Sequence, residues 1–210
     1  MMRIITGTAR GTKLLSLEGE ATRPTSERAK EAVFSMLAFE VANRHVLDLF
    51  AGSGQLALEA LSRGARHATM VDSSRAAVEI ILKNIIKTHM EGKAVALELD
   101  CAQFLCTVHP AQPFDLIFID PPYALHLVPQ MLNDILSRNL AAENAIFVCE
   151  SEEEDIFDGN EALRAKFTVR RVSRYAKAVV TVLERRTGEE VFQGMIENKL
   201  SLWFPGALIR

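Results

Sequence analysis

The chain has too little cysteine for a disulfide frame. Its three, Cys101, Cys106 and Cys149, are an odd number without paired spacing, which points to a reducing compartment. It holds neither a C-x-x-C nor an H-E-x-x-H pattern, so no metal site is indicated. No apolar run approaches membrane-spanning length. The N-terminus lacks a long apolar core behind basic residues, which argues against a signal peptide. Neither charge dominates: 24 Lys and Arg against 27 Asp and Glu leave −3 at pH 7. There is thus no bulk signal for nucleic acid, and any basic surface must be local. Internal repeats and low-complexity linkers are absent too. What is present is 210 residues, nearly half of them apolar, enough for a sizeable core. One soluble, cytoplasmic α/β domain with appendages is expected.

The chain is organised around residues 45–54, His-Val-Leu-Asp-Leu-Phe-Ala-Gly-Ser-Gly. A short apolar run ends in a glycine-rich turn, and Leu56, Leu58, Ala60 and Leu61 then recur at helical spacing up to Gly64. Strand, tight loop and helix make the opening unit of a doubly wound α/β sheet. Gly52 and Gly54 leave the backbone open where a ligand comes close, and the helix start offers N–H groups and a positive dipole end. Gly52 to Ala57 also fits G-x-G-x-x-G/A, with Asp72 twenty residues beyond Gly52. A nicotinamide-dependent oxidoreductase would show both features. Asp48 is a different clue, because a carboxylate just before the loop repels a pyrophosphate and suits a cationic ligand. A cofactor of the S-adenosylmethionine type, with an ammonium, a sulfonium and a ribose but no phosphate, has that character. An ordinary turn-capping Asp remains the alternative.

Residues 3–15 read as two short strands around Gly7 and Gly11. Arg3, Arg10 and Lys13 make this small hairpin either a phosphate-gripping arm or a solvated edge. Pro24 disfavours helix before it, Thr25 or Ser26 can cap the helix that follows, and Arg23 and Arg28 either face a substrate phosphate or are solvated. Residues 68–72 form a second strand ending in Asp72, whose carboxylate can accept from ribose hydroxyls. A long helix runs through Ile80, Ile81 and Ile85. The third strand, 94–99, ends at Asp100 and Cys101, where Asp100 either accepts from an adenine amino group or caps a helix. A helical pattern covers 127–140 and a fifth strand 145–150. The acidic run at 150–155 reads as a solvated helix start. A closing hairpin spans 167–174 and 177–186. Eight basic residues lie between Arg164 and Arg186, either a phosphate-facing strip or a charged edge that blocks aggregation.

The fourth strand, from Phe114, delivers Asp120-Pro121-Pro122-Tyr123 at its carboxyl end. The prolines fix the backbone and remove two N–H donors. The Asp120 carboxylate and the Pro121 carbonyl remain as acceptors beside a flat ring. Such a cluster can hold both hydrogens of an NH2 group on a planar substrate while Tyr123 stacks on it.

Taken together these motifs resemble the class I amino-methyltransferases. More narrowly the chain is similar to the RsmD family of bacterial 16S ribosomal RNA (guanine-N2)-methyltransferases. The likeness rests on Arg-Ile-Ile-x-Gly-x-x-Arg-Gly-x-Lys-Leu at 3–14, Arg-Pro-Thr-Ser-Glu-Arg at 23–28, Asp-Leu-Phe-Ala-Gly-Ser-Gly at 48–54, Leu-Glu-Ala-Leu-Ser-Arg-Gly-Ala at 58–65 and Asp-Pro-Pro-Tyr at 120–123. It covers roughly residues 3–186 in order. The last motif and the glycine loop are shared with DNA adenine-N6 and other amino-methyltransferases.

The resemblance implies a Rossmann-like, mostly parallel seven-stranded sheet with an antiparallel last strand, and a basic N-terminal β-hairpin at 1–20. It implies a methyltransferase domain at 21–186 and leaves 187–210 as an extension. It implies S-adenosylmethionine as cofactor and 16S ribosomal RNA, or an assembling small ribosomal subunit, as partner, with no metal and no membrane. Asp48, Ala51, Gly52 and Gly54 would surround the methionine part of the cofactor. Asp72 and Ser73 would hold the ribose, and Asp100 and Cys101 would flank the adenine. Thr25 would lie near the active site. Asp120, Pro121, Pro122 and Tyr123 would hold the target guanine, with Asp120 also touching the cofactor. Arg3, Arg10, Lys13, Arg23 and Arg28 would face RNA. The extension carries an apolar helical face of Val191, Phe192, Met195, Ile196, Leu200 and Trp203, able to dock on the body or to pair two chains.

Overall fold

The computed structural model describes residues 2–17, 24–122, 126–188 and 190–191, with the side chains of 24–28 left out. Arg23, Tyr123 and the extension from Phe192 onward therefore lie outside the described residues, as do the Thr25 and Arg28 side chains.

Seven strands form one sheet in the order β3-β2-β1-β4-β5-β7-β6. They are β1 (His45–Asp48), β2 (His67–Asp72), β3 (Ala94–Glu98), β4 (Phe114–Ile119), β5 (Ala141–Ser151), β6 (Phe167–Tyr175) and β7 (Ala178–Arg185). The first five are parallel, whereas β7 runs antiparallel between β5 and β6. The helices are α1 (Pro24–Met36), α2 (Gln55–Ser62), α3 (Arg75–Thr88), α4 (Cys101–Thr107), α5 (Val128–Ser137) and α6 (Glu161–Arg164). Strand order reverses between β1 and β4. Their carboxyl ends form the crevice where ligands bind in open α/β sheets.

The central strands are apolar without interruption because both faces are covered. Alternate residues point to opposite sides. Val46, Met70, Phe118 and Val148 join one cluster with α1, α2 and α3. Leu47, Val71, Ile117, Ile119 and Phe147 join the other with α4 and α5. Phe118, fully buried, stacks at a tilt on Phe34 of α1 with ring centroids 5.9 Å apart. Its truncation to Ala would remove about 3–5 kcal/mol.

Three expectations change. Residues 2–17 are not a regular hairpin, since a single antiparallel bridge, Arg3 to Lys13, joins the two limbs. Gly7 explains why: an added Cβ there would meet the Ser62 carbonyl at 1.7 Å, so the turn lies flat on α2 rather than standing free. Ile4, Ala9 and Leu14 are buried with the main core, so the segment is a docked arm. The acidic run at 150–155 is not a helix start. It ends β5 and forms the turn after it, and the next helix begins only at Glu161. Three of the eight basic residues between Arg164 and Arg186 are paired with acids. Arg170 forks onto Glu40 at 2.7 and 3.0 Å, Arg174 meets Glu154 at 3.0 Å and Arg164 meets Asp155 at 2.6 Å. A paired guanidinium has little left for phosphate, which takes these three out of a phosphate-facing strip.

Candidate active site

The glycine loop follows β1, and three of its amides are held by named acceptors. Ala51 N–H donates to the Val71 carbonyl at 3.0 Å, and Gly54 N–H to the Ala51 carbonyl at 2.6 Å. Gly52 N–H donates to Asp72 Oδ2 at 2.8 Å. Both glycines have left-handed backbone, φ 54° and 76°. Gly54 also has no room for a side chain, because a Cβ would lie 2.9 Å from Met70 Sδ. Gly54 is the N-cap of α2 and supplies no side-chain cap, which leaves the helix start open.

Asp48 closes β1 directly beneath this loop. It is 1 % exposed, and neither carboxylate oxygen meets a hydrogen-bond partner. Burial is the chief reason its pKa is pushed up to about 7, and the nearby Asp72 charge adds to the rise. The Phe50 and Ala57 amides face it and hold part of its negative charge, yet without hydrogen-bond geometry. No hydrogen bond satisfies the carboxylate. A buried acid in that state is expensive unless a cation or donor joins it. Gln55 Oε1, at the first residue of α2, is also buried without a partner. Two orphaned acceptors beside an open loop fit a ligand that brings donors and positive charge.

Asp72 ends β2, half-buried. One oxygen takes Gly52 N–H and the other takes Ser74 N–H at 2.8 Å. Each oxygen keeps a lone pair for a hydroxyl. Ser73 beside it is exposed. Asp100 caps α4, Oδ1 accepting Ala102 N–H at 2.8 Å, while Asp100 N–H donates to Gln103 Oε1 at 3.4 Å. Cys101 is partly buried, and burial followed by the Asp100 charge raises its thiol above the usual range. A thiol held protonated is a weak nucleophile.

The second half of the site comes from β4. Asp48 is paired with Phe118, and Leu49 N–H donates to the Phe118 carbonyl at 3.2 Å. Asp120 stands two residues past that partner, so the glycine loop and Asp120-Pro121-Pro122 rise from neighbouring strand tips. Asp120 is half-buried, Pro121 buried and Pro122 exposed. Pro121 walls a small cleft of about 60 Å³, shared with Leu127 and Ile156, and none of Asp48, Gly52, Gly54, Asp72 or Asp120 lines it. Its far rim carries Glu150, Glu152, Glu153, Asp155 and Asp158.

The arm supplies the opposite sign. Arg3 and Lys13 face one another across their bridge, and Arg10 is exposed on the turn. No acid pairs with these three among the described residues. Like charges side by side disfavour the bridge, so an anion would relieve them. What sequence reasoning missed are the arm's anchors. Glu59, fully buried, accepts Ile5 N–H at 2.7 Å and Thr6 N–H at 3.1 Å. Ser62 Oγ accepts Ala9 N–H at 3.0 Å. Asn84 accepts Leu15 N–H at 2.8 Å. The available signal was three polar residues on otherwise apolar helix faces.

No group of acids, His and Cys able to hold a metal ion exists among the described residues. No helix among them is long and apolar enough to cross a membrane.

The family model described as Conserved hypothetical protein 95 matches residues 2–184. The ribosomal RNA small subunit methyltransferase D of Escherichia coli strain K12 is 36 % identical over 154 residues, 73 % of this chain and 76 % of that protein. A solved candidate methyltransferase from Escherichia coli is similar at 31 % identity and TM-score 0.74, covering 88 % of this chain and 98 % of that one. A methyltransferase-like chain solved with SAH bound shares the fold at TM-score 0.65, 14 % identity, 78 % of this chain and 50 % of that one. With a match from the arm to the last strand, the chain belongs to the Conserved hypothetical protein 95 family, the RsmD family.

Proposed function

We propose that the protein is an S-adenosylmethionine-dependent methyltransferase acting on the exocyclic N2 of a guanine in 16S ribosomal RNA. One observation carries the reading: the unpaired, buried Asp48 carboxylate lies at the strand tip next to Asp120-Pro121-Pro122. When bound, S-adenosylmethionine supplies an electrophilic methyl group. This chain's residues do the rest. Asp48 faces the cofactor's positive charge, which a dinucleotide phosphate would not satisfy. Asp72 and Ser73 receive the ribose, and Cys101 lines the adenine side.

The target nitrogen is a poor nucleophile because its lone pair is delocalised into the ring. The Asp120 carboxylate and the Pro121 carbonyl accept its two hydrogens and thereby favour a pyramidal nitrogen with a free lone pair. Positioning supplies most of the acceleration, with electrostatic support from the same acceptors. Tyr123 stacks on the ring. The base must be unpaired or flipped to arrive there.

Charge orients the polynucleotide. The unpaired Arg3, Arg10 and Lys13 attract phosphates to the arm, joined by Arg23 and Arg28. The carboxylates on the far rim of the cleft repel them. The backbone therefore crosses the arm side while one base reaches in. Residues 1–20 act as this arm, 21–186 as the catalytic domain, and 187–210 as an extension. A ribosomal substrate, free or in an assembling subunit, places the protein in the cytoplasm, in keeping with three free cysteines.

The test is methyl transfer to RNA, DNA and protein substrates, followed by mass mapping of ribosomal RNA from cells with and without the protein. Loss of one methylguanine in 16S RNA is expected. Transfer to DNA adenine alone would replace the reading by its nearest rival. Binding of a nicotinamide cofactor would overturn it.

A further inference from the structure

Asn84 sits on the buried face of α3, beside Ile81 and Ile85, with 0 % exposure. A primary amide in that place is tolerated only when its hydrogen bonds are made. They are, and to two separate segments. Oδ1 accepts Leu15 N–H at 2.8 Å, and Nδ2 donates to the Leu15 carbonyl at 2.9 Å. Nδ2 also donates to the Ser53 carbonyl at 2.9 Å. The amide orientation is fixed by this set, because a flip would oppose donors to donors.

Ser53 lies between the two left-handed glycines of the loop. The other limb of the arm reaches the same residue, since Ser53 Oγ donates to Met2 Sδ at 3.0 Å. Met2 and Leu14 are joined in turn by a 3.0 Å bond from Leu14 N–H to the Met2 carbonyl. Both ends of the arm thus close on one loop residue, one directly and one through Asn84. Beyond the single bridge at Lys13, Asn84 takes the place of a strand neighbour for Leu15.

We infer that Asn84 is a positioning residue that makes the N-terminal arm and the cofactor loop one mechanical unit, so that filling the loop stiffens the arm that carries Arg3, Arg10 and Lys13. The inference rests on the loop being the cofactor site. A bound cofactor fixes the peptide of Ser53, the Ser53 carbonyl fixes Asn84, and Asn84 fixes Leu15. The arm then meets RNA already ordered, which lowers the entropy lost on binding. Occupancy of either site favours the other, as linkage requires.

The experiment is amide hydrogen exchange on the full chain with and without saturating S-adenosylmethionine, alongside calorimetric binding. In the wild type, exchange at Leu15 and along 2–15 should slow severalfold on cofactor addition. Asn84→Leu, of similar size and without polar atoms, should bind the cofactor about tenfold more weakly, and its arm should exchange at one rate whether or not the cofactor is present. Leu15→Pro removes the amide donated to Asn84, together with the Leu15 side chain, and fixes the backbone there. It should keep cofactor affinity within about threefold of wild type and lose the response of the arm. If Asn84→Leu does not fold, that response in Leu15→Pro decides alone. Wild type that fails to bind S-adenosylmethionine refutes the site. Wild type that binds it with no change in the arm, or a variant whose arm still responds, refutes the role of Asn84 and leaves the site standing.

Discussion

Replacing Asp48 by Asn gives a test with an unusual sign. An acid whose folded pKa is raised makes the protein less stable as pH climbs from its ordinary value to the folded one. For Asp48 that window runs from the ordinary carboxylate value of 3.8 to about 7. A shift of about 3 units corresponds to about 4 kcal/mol lost by the ligand-free protein across the window, at about 1.4 kcal/mol per unit. Above pH 7 the loss is complete. Asn is neutral at every pH but leaves its own amide unpaired, at a cost of about 1–3 kcal/mol. Asp48→Asn should therefore be more stable than wild type at pH 8 by roughly 1–3 kcal/mol, or a few degrees in Tm. At pH 5 the advantage should vanish or reverse. Cofactor binding should move the opposite way. Its α-amino group stays charged below about pH 7.5, so only Asp48 titrates, and wild-type affinity should rise about tenfold from pH 5 to 6 and about fivefold from 6 to 7. The variant should bind weakly and without that slope. Thermal melts and calorimetry at four pH values decide it. A flat wild-type profile together with unchanged affinity in the variant would refute the pairing of Asp48 with a cation.

Asp120→Ala should lower methyl transfer by about 10²-fold or more while leaving S-adenosylmethionine affinity within a few fold, measured by single turnover and calorimetry. Full activity would remove Asp120 from the chemistry. Arg10→Glu with Lys13→Glu should weaken RNA binding and flatten its salt dependence by a slope of roughly 1–2, read from titrations at several salt concentrations with free-cofactor affinity unchanged. Unaltered RNA affinity would make the arm purely structural. Gly7→Ala should lift the arm off α2, since its Cβ would sit 1.7 Å from the Ser62 carbonyl at a φ of 90°. Faster proteolysis within 2–15 is the expected readout, and an arm as protected as in wild type would count against the docked geometry.

Short-range features were legible before any coordinates. Alternating and continuous apolar runs set the strands. Glycines at 52 and 54 set the loop, and two prolines after Asp120 set a donor-free turn. These depend on a residue and its near neighbours, and the physics acting there is backbone sterics and periodic burial. The same arithmetic missed α6 and the first four residues of β5, whose boundaries depend on caps and on the strands alongside. It also could not choose between readings of one residue. Asp100 caps a helix, and Arg170 of the basic run is taken up by an ion pair, because Glu40 lies 130 positions from it along the chain and 2.7 Å away in space.

The sequence by itself determined the doubly wound sheet and the two motifs at its switch point, since both are written in contiguous residues. Only the tertiary structure decided that Asp48 has no partner, that Glu59, Ser62 and Asn84 hold the arm, and that the arm touches the cofactor loop. Those are facts about which distant groups share a dry space. Whether a charge is costly or a polar group satisfied depends on neighbours that the chain brings together only by folding.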